Sequence, residues 1–294
     1  MNRVKLQRII ILILCIVVLV ETIWLLRETV RRSDEPKENW DFAIDTELSE
    51  KFGKALSDGC IEVWFQPIVS PYSREVVGAE ALSRWRDGEG FISPAVFIPT
   101  LEESGQIREL DRHVFMTACE FQKERSDAGM ELFPISVNLS VVSSMWEDIV
   151  SEYVDIFNAT GLPAGCINIE VTESLDADRE VLSGVVRDFQ AAGFLVEIDD
   201  FGAGYAAYVN LAVIPYDVLK IDKSLIDEIG SDRGNRLIID LIRLAKDFDM
   251  RTIAEGVETA EQVNYLQTAG CDAIQGYYYS RPLPPDDFAD YLKP

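Results

Sequence analysis

From Cys60 onward, short β-rich segments alternate with segments whose apolar residues recur every three to four positions. This alternation is typical of β/α units that build a parallel sheet. The predicted strands are residues 61–69, 76–85, 133–140, 167–172, 194–201, 218–221, 252–257 and 273–278. The helices predicted between most of them are residues 110–125, 146–160, 179–192, 236–248 and 261–269.

Eight strands with intervening helices are what a (β/α)8 barrel requires. The first two strands are joined only by the turn Pro71-Tyr72-Ser73-Arg74, which is too short for a parallel crossover, so these two strands must be antiparallel. We therefore predict an α/β fold, a modified TIM-like (β/α)8 barrel with one antiparallel strand. An amphipathic helix over residues 44–56 leads into it, and the domain extends over residues 44–294.

An apolar run covers residues 9–26 and is bounded by Arg8 and Arg27. Eighteen residues just span a bilayer core, so the run predicts a single transmembrane anchor helix, with a signal peptide or a partner-bound helix as weaker alternatives. Residues 27–43 are charged, contain Pro36 and read as a linker. Three basic residues precede the run and four follow it, which slightly favours an inner-membrane protein whose C-terminal domain faces the cytoplasm.

The composition limits which ligands and which metal ions the chain could bind. A net charge of −24 and a pI near 4.3 argue against binding of duplex nucleic acid, which needs Lys and Arg to displace counterions. The chain has one histidine, His113, placed inside a predicted helix, so any metal would have oxygen ligands, which favours Mg²⁺ or Mn²⁺. Five widely spaced cysteines fit reduced thiols better than disulfides.

Polar residues interrupt otherwise apolar sequence at the ends of successive predicted strands. They are Glu80, Asn138, Glu170, Glu173, Asp199, Asp200, Lys220, Glu255 and Gln275. Taken singly, each could be a helix cap or a solvated loop residue. In a barrel, however, the carboxyl ends of the strands converge on one mouth, where active sites are built. The recurrence at strand after strand therefore predicts one shared site.

Carboxylates that are brought together repel one another, and a divalent cation removes that cost. The pair Asp199–Asp200 suits two metals about 3.5–4 Å apart, the spacing typical of two-metal phosphodiester hydrolysis. Lys220 would add a fixed positive charge near an attacking water or a phosphate. Glu255 and Asp200 are candidates for metal ligand or general base.

Taken together, these motifs resemble the EAL domain, a bacterial cyclic di-GMP phosphodiesterase family. The signature triplet is Glu80-Ala81-Leu82, and the resemblance runs from about residue 44 to residue 292. The other motifs of the family follow in order: Phe-Gln-Pro-Ile at 65–68, Val-Asn-Leu-Ser at 137–140, Ile-Asp-Asp-Phe-Gly at 198–202, Leu-Lys-Ile-Asp at 219–222, Ala-Glu-Gly-Val-Glu-Thr at 254–259, Gln-Gly-Tyr at 275–277 and Ser-Arg-Pro-Leu at 280–283.

The resemblance implies a role for each residue of the predicted site. A first metal would be held by Glu80, Asn138, Glu170 and Asp199, with Asp200 bridging to a second. Lys220 and Glu255 would position and activate water, supported by Gln275. Arg84 would meet a substrate phosphate, Gln66 and Leu82 would contact the dinucleotide, and Glu173 would steady the loop after the Asp-Asp pair.

By the same resemblance, the expected reaction opens one phosphodiester of cyclic di-GMP to give linear pGpG with Mg²⁺ or Mn²⁺, and pairing into a homodimer is expected. One departure is Ala206-Ala207, where the family usually has small hydroxyl residues. This change leaves open a membrane-tethered receptor that binds cyclic di-GMP without cutting it. An enzyme that acts on another cyclic dinucleotide is a further alternative.

Overall fold

The structure is a computed structural model that describes residues 46–172, 179–201 and 207–293, and these residues are built around one sheet of nine strands. The strands are β1 Ile61–Val69, β2 Val76–Asp87, β3 Gly90–Ile92, β4 Ile135–Leu139, β5 Ile167–Thr172, β6 Leu195–Phe201, β7 Val218–Ile221, β8 Arg251–Ala254 and β9 Ala273–Gln275. Eight of them, all except β3, form a closed barrel in the order β1-β9-β8-β7-β6-β5-β4-β2, because β1 also pairs with β2.

The strand directions confirm the modified barrel. Neighbouring strands from β2 and β4 through to β9 are parallel, whereas β1 is antiparallel to both of its neighbours, β2 and β9. The short turn between β1 and β2 therefore makes these two strands antiparallel, as predicted, since two strands joined so tightly can only form a hairpin.

Helices follow most of the strands and cover the outside of the barrel. They are α1 Thr46–Ser57, α2 Pro94–Ser104, α3 Ile107–Asp127, α4 Val141–Ser144, α5 Ile149–Thr160, α6 Arg179–Ala191, α7 Ala207–Val213, α8 Lys223–Ile226, α9 Asp232–Asp247, α10 Ala260–Ala269 and α11 Pro285–Tyr291. In α9 the buried residues Ile238, Leu241 and Ile242 lie on one face, and the Ser231 side chain caps the helix by accepting from the Gly234 amide. Such an amphipathic helix can bury only one stripe, and here that stripe belongs to the main core.

Side chains alternate along each strand between the outer core and the barrel interior. In β4, for example, Ile135, Val137 and Leu139 belong to the main core. A separate apolar cluster, which we call the barrel floor, consists of Ile68, Val218, Ile253 and Ala273. The three positions two residues further along from the floor residues of β7, β8 and β9 are Lys220, Glu255 and Gln275. The barrel interior therefore changes from apolar to polar towards the carboxyl ends of its parallel strands.

The β1–β2 hairpin is longer than the rest of the barrel. Its register runs from Val69 opposite Val76 to Ile61 opposite Trp85, but β2 pairs with β4 only from Ala79 to Ala81. The residues beyond this point, 61–65 of β1 and 82–87 of β2, therefore project past the barrel mouth and form what we call the hairpin arm. The short strand β3 extends this arm by pairing with the end of β2.

Two predicted strands are shorter than expected. Strand β8 ends at Ala254 instead of residue 257, because Gly256 turns the chain away with a positive φ of 63°. Strand β9 ends at Gln275 instead of residue 278, where Gly276 approaches Val257 so closely that a Cβ would lie 2.1 Å from its carbonyl oxygen. The strand β3 and the helices α2, α4, α7, α8 and α11 were not predicted.

The predicted membrane segment 9–26 and the linker 27–43 lie outside the described residues. Within the described ranges, no helix has the length and apolar character needed to cross a membrane. The four cysteines in those ranges, Cys60, Cys119, Cys166 and Cys271, are free thiols, as predicted.

Candidate active site

A lysine surrounded by carboxylates marks the centre of the barrel mouth. Lys220 on β7 is fully buried, and its ammonium nitrogen lies 2.5 Å from Glu170 Oε1 and 2.7 Å from Glu255 Oε1. Glu80 Oε2 and Asp199 Oδ1 follow at 3.4 and 3.3 Å. Four carboxylates thus face one ammonium group, so an excess of negative charge remains in a site largely removed from water.

Neutral amides orient Glu80 from the opposite side. Asn138 Nδ2 donates to Glu80 Oε1 at 3.1 Å, and Gln275 Nε2 donates to Glu80 Oε2 at 2.6 Å. Gln275 also contacts Gln66 Oε1 at 3.1 Å, and Gln66 in turn donates to the carbonyl oxygen of Ser280. This chain of hydrogen bonds links four strands, β1, β2, β4 and β9, around one carboxylate.

Three carboxylates on the β6 and β8 side lie close enough to share an ion. One oxygen from each of Asp199, Asp200 and Glu255 lies within 4.8 Å of the other two. Asp200 adopts a positive φ of 54°, a conformation that costs a non-glycine residue energy and that clusters at functional sites. This backbone turn lets consecutive residues of one strand present both carboxylates on the same side.

Burial and mutual repulsion shift the pKa values in this cluster. Burial raises the pKa of Glu255 to about 8, with Lys220 opposing the shift, and burial together with the Asp199 charge raises the pKa of Asp200 to about 6. The pKa of Glu170 is raised well above its usual range by burial and by Glu80. For Asp199, burial is outweighed by the Lys220 ammonium and by hydrogen bonds, which lower its pKa.

A second polar layer lies beneath the mouth. Asn168 Nδ2 donates to Glu197 Oε1 at 2.7 Å, Ser136 also hydrogen-bonds Glu197, and all three residues are buried. Burial raises the pKa of Glu197 above its usual range. These residues were not singled out from the sequence. They stand two positions before Asn138, Glu170 and Asp199, so the period-two pattern of the strands would have placed them on the inward face.

A cleft of about 260 Å³ opens beside the carboxylates. Its walls include Glu80, Asn138 and Asp199 together with Leu82 and Arg84 of the hairpin arm. Apolar side chains form most of the remaining wall: Pro94, Ile98, Ile107, Leu110 and Val114.

The polar end of this cleft was also missed in the sequence. Asp111 accepts from the Ser140 amide at 3.0 Å and from Ser143 Oγ at 2.6 Å, and burial raises its pKa to about 7. Ser140 Oγ donates to Glu102 at 2.6 Å. Both acids lie on helices that precede β4, where no strand-end pattern could reveal them.

The structure brings most of the predicted site residues together. Nine of them form the contacts around Lys220 and Glu80 or the three-carboxylate group: Gln66, Glu80, Asn138, Glu170, Asp199, Asp200, Lys220, Glu255 and Gln275. Leu82 and Arg84 line the adjoining cleft. Glu173 lies outside the described residues, as does the Ala206 substitution. His113 contacts the carbonyl oxygen of Ile61 at 3.0 Å, away from the carboxylates, in agreement with a structural role.

Comparison with known proteins finds relatives that are similar in sequence over most of this chain. The cyclic di-GMP phosphodiesterase NbdA of Pseudomonas aeruginosa is 32% identical over 252 residues, which cover 85% of this chain and 32% of that protein. The chain therefore spans about a third of the length of this curated relative.

Two solved structures are similar over most of the domain. The EAL enzyme Bd1971 with cAMP and cyclic-di-GMP bound superposes with a TM-score of 0.80 and 26% identity, covering 94% of this chain and 76% of that one. The PaMucR phosphodiesterase in complex with c-di-GMP gives a TM-score of 0.77 and 29% identity, covering 82% and 99%.

The family model described as the EAL domain matches residues 49–282, which include every strand of the barrel and every side chain of the mouth described above. On this match, and on the barrel with its antiparallel first strand, the chain belongs to the EAL domain family.

Proposed function

We propose that this protein hydrolyses cyclic di-GMP to linear pGpG with the help of Mg²⁺ or Mn²⁺. The observation that carries the proposal is the buried Lys220 among four carboxylates, beside a cleft that Arg84 helps to line. A cyclic dinucleotide has two phosphodiester groups and two bases, and this site offers a charged mouth together with an apolar cleft. Relatives that are named cyclic di-GMP phosphodiesterases support the choice of substrate.

The residues present fit a divalent cation. The three-carboxylate group offers oxygen ligands within 4.8 Å of one another, and Glu170 Oε2 is buried without a hydrogen-bond donor among the described residues. Hard cations such as Mg²⁺ and Mn²⁺ prefer carboxylate, amide and water oxygens. We propose that Glu80, Asn138, Glu170, Asp199 and Asp200 would hold two such ions. When bound, they would lower the pKa of a coordinated water and neutralise charge on the phosphate.

The chain's own residues would divide the remaining work. Lys220 contacts Glu255 at 2.7 Å and would hold this carboxylate where it can accept a proton from the attacking water. In the absence of an ion, the pKa of Glu255 is raised to about 8. Neighbouring positive charges would lower this pKa and so set the pH at which the carboxylate can act as a base. Arg84 would fix a phosphate at the edge of the cleft, as a guanidinium can donate two parallel hydrogen bonds to it.

We further propose that residues 9–26 anchor the enzyme in the inner membrane as a single-pass helix, with residues 27–43 as linker and the barrel facing the cytoplasm. The apolar run and its basic flanks support this topology. A cytoplasmic barrel is also what a cytoplasmic messenger as substrate requires. Pairing of two chains through their barrels completes the proposal, and the shared anchor would raise the local concentration for it.

The test is hydrolysis of cyclic di-GMP by the purified full-length chain with Mg²⁺ or Mn²⁺. Release of pGpG is expected. Glu80→Ala should abolish it, because Glu80 is a proposed ion ligand that hydrogen bonds from Asn138 and Gln275 hold in the mouth. Glu124→Ala, an exposed change near the end of α3 and away from the mouth, serves as the matched control. Binding of cyclic di-GMP without release of pGpG would refute the enzyme and favour the tethered receptor.

A further inference from the structure

Arg84 on the hairpin arm is attracted by Glu80 from a distance but forms no direct ion pair among the described residues. Its guanidinium donates instead to the carbonyl oxygen of Ser83 at 2.8 Å. This is notable in a chain with 51 acidic and 27 basic residues. A phosphate can use this arginine only while no protein carboxylate competes for it.

One competitor is Glu62, which stands directly opposite Arg84 in the β1–β2 register. Side chains directly opposite in an antiparallel pair lie close enough for ion pairing. Glu62 nevertheless turns away: its Oε1 accepts from Arg86 Nε at 2.5 Å, and its Oε2 accepts from the Trp64 indole nitrogen at 2.9 Å. Both carboxylate oxygens are therefore occupied by donors other than Arg84.

Trp64 also supports Arg84 itself. The Arg84 guanidinium carbon lies 5.7 Å from the centre of the Trp64 ring, within the range of a cation–π contact. Phe91 of β3 packs edge-on against the same ring at 5.4 Å, and Arg86 lies over Phe91 at 4.7 Å. The indole is thus held in place by β3 while it contacts both Arg84 and Glu62.

We propose that Trp64 is a positioning residue for substrate binding: it holds the Glu62 carboxylate away from Arg84 and supports the guanidinium for a substrate phosphate. This inference rests on the proposed function, because it needs Arg84 to meet a phosphate. Trp64 acts through Arg84 and takes no part in the bond-breaking step.

The experiment compares the full-length wild type with Trp64→Phe, Glu62→Gln and the double variant Trp64→Phe/Glu62→Gln. Phenylalanine keeps an aromatic ring but removes the N–H donor, which frees Glu62 Oε2 to turn towards Arg84 while Oε1 stays paired with Arg86. We expect Trp64→Phe to raise KM for cyclic di-GMP about tenfold, equivalent to about 1.4 kcal/mol, with kcat within about twofold. In the double variant, KM should return to within about threefold of wild type, since the neutral amide that replaces the Glu62 carboxylate would not compete for Arg84.

Trp146→Phe is the matched control, because Trp146 also carries an arginine, Arg108, over its ring at 4.7 Å but does not line the cleft. It should leave KM unchanged, and melting curves confirm that each variant is folded. The Kd of each variant for cyclic di-GMP is measured beside KM, so that binding can be compared even if turnover is too slow to yield a KM.

An unchanged KM and Kd in Trp64→Phe would overturn the proposal. So would a double variant that is as weak as Trp64→Phe, because the loss would then come from ring contacts with substrate or from altered packing. A fall in kcat without a change in KM would also contradict it. If the wild type itself neither binds nor cleaves cyclic di-GMP, the proposed function has failed, and this inference fails with it.

Discussion

Replacing Lys220 with methionine tests the electrostatic reading of the barrel mouth. Methionine keeps the length and apolar stem of the side chain but removes the ammonium charge that faces Glu80, Glu170, Asp199 and Glu255. Breaking a buried ion pair from one side typically costs about 3–5 kcal/mol, because the partner charge remains buried without compensation. For a domain of this size, this loss corresponds to a fall in Tm of roughly 6–20 °C.

The loss should depend on pH in a defined direction. Without the ammonium, the pKa values of Glu170 and Glu255 rise further and the pKa of Asp199 is lowered less, so the folded variant binds more protons than the unfolded chain. The stability of the variant should therefore fall more steeply than that of wild type as pH rises from about 5 to about 8. At about pH 5 the carboxylates can be neutralised by protons, and the difference between the two proteins should shrink.

The assay is thermal unfolding of the full-length chain in EDTA at about pH 5 and about pH 8. Lys123→Met is the control, since the pair that Lys123 forms with Asp127 one helical turn away faces solvent and is worth about 1 kcal/mol or less. A Lys220→Met variant that melts within about 2 °C of wild type at the higher pH would refute the reasoning. A larger destabilisation at the lower pH than at the higher one would refute it as well.

Three further predictions follow from the geometry. Gln275→Leu removes the hydrogen bonds to Glu80 and Gln66 and should weaken Mn²⁺ binding about 10–100-fold, measured by calorimetry; an unchanged Kd would mean that Glu80 is held without it. The folded-state pKa values of Asp111, Asp200 and Glu255 are raised to about 7, 6 and 8, so their stabilising contribution is complete below about pH 4 and is lost as pH rises to about 8. The metal-free Tm should therefore fall over this window, and Asp111→Asn should flatten the curve; a slope that is equal in both proteins would contradict the assignment. In competition assays, cyclic di-GMP should be cleaved in preference to its adenine counterpart, and equal rates would refute the choice of substrate.

The alternation of strands and helices was enough to predict the barrel, because each buried strand has its own apolar run and each outer helix its own stripe. The antiparallel start also followed from one short turn. The shortened ends of β8 and β9 could not be predicted, since they depend on Gly256 and Gly276 meeting other segments closely. Such approaches exist only once the barrel is closed.

The residues of the site also divide into those that the sequence revealed and those that it could not reveal. Polar residues at strand ends, such as Lys220 and Glu255, could be found because they interrupt apolar runs and because parallel strands converge. Asp111 could not be found in this way, since it lies within α3, and its neighbours Ser140 and Ser143 come from a different segment. The orientation of Glu62 away from Arg84 likewise depends on diagonal contacts across a hairpin, and the sequence contains no trace of that choice.

The barrel floor determines how the mouth can be used. Within the described part of the chain, Ile68, Val218, Ile253 and Ala273 close the interior below the polar layer, so we expect water, ions and nucleotide to enter from the mouth. A dinucleotide seated over the carboxylates would block the route by which ions reach them. On this arrangement, ions held by the carboxylates would load before the substrate and would exchange after the product has left. We therefore expect an ordered cycle in which excess substrate slows the activation of ion-free enzyme.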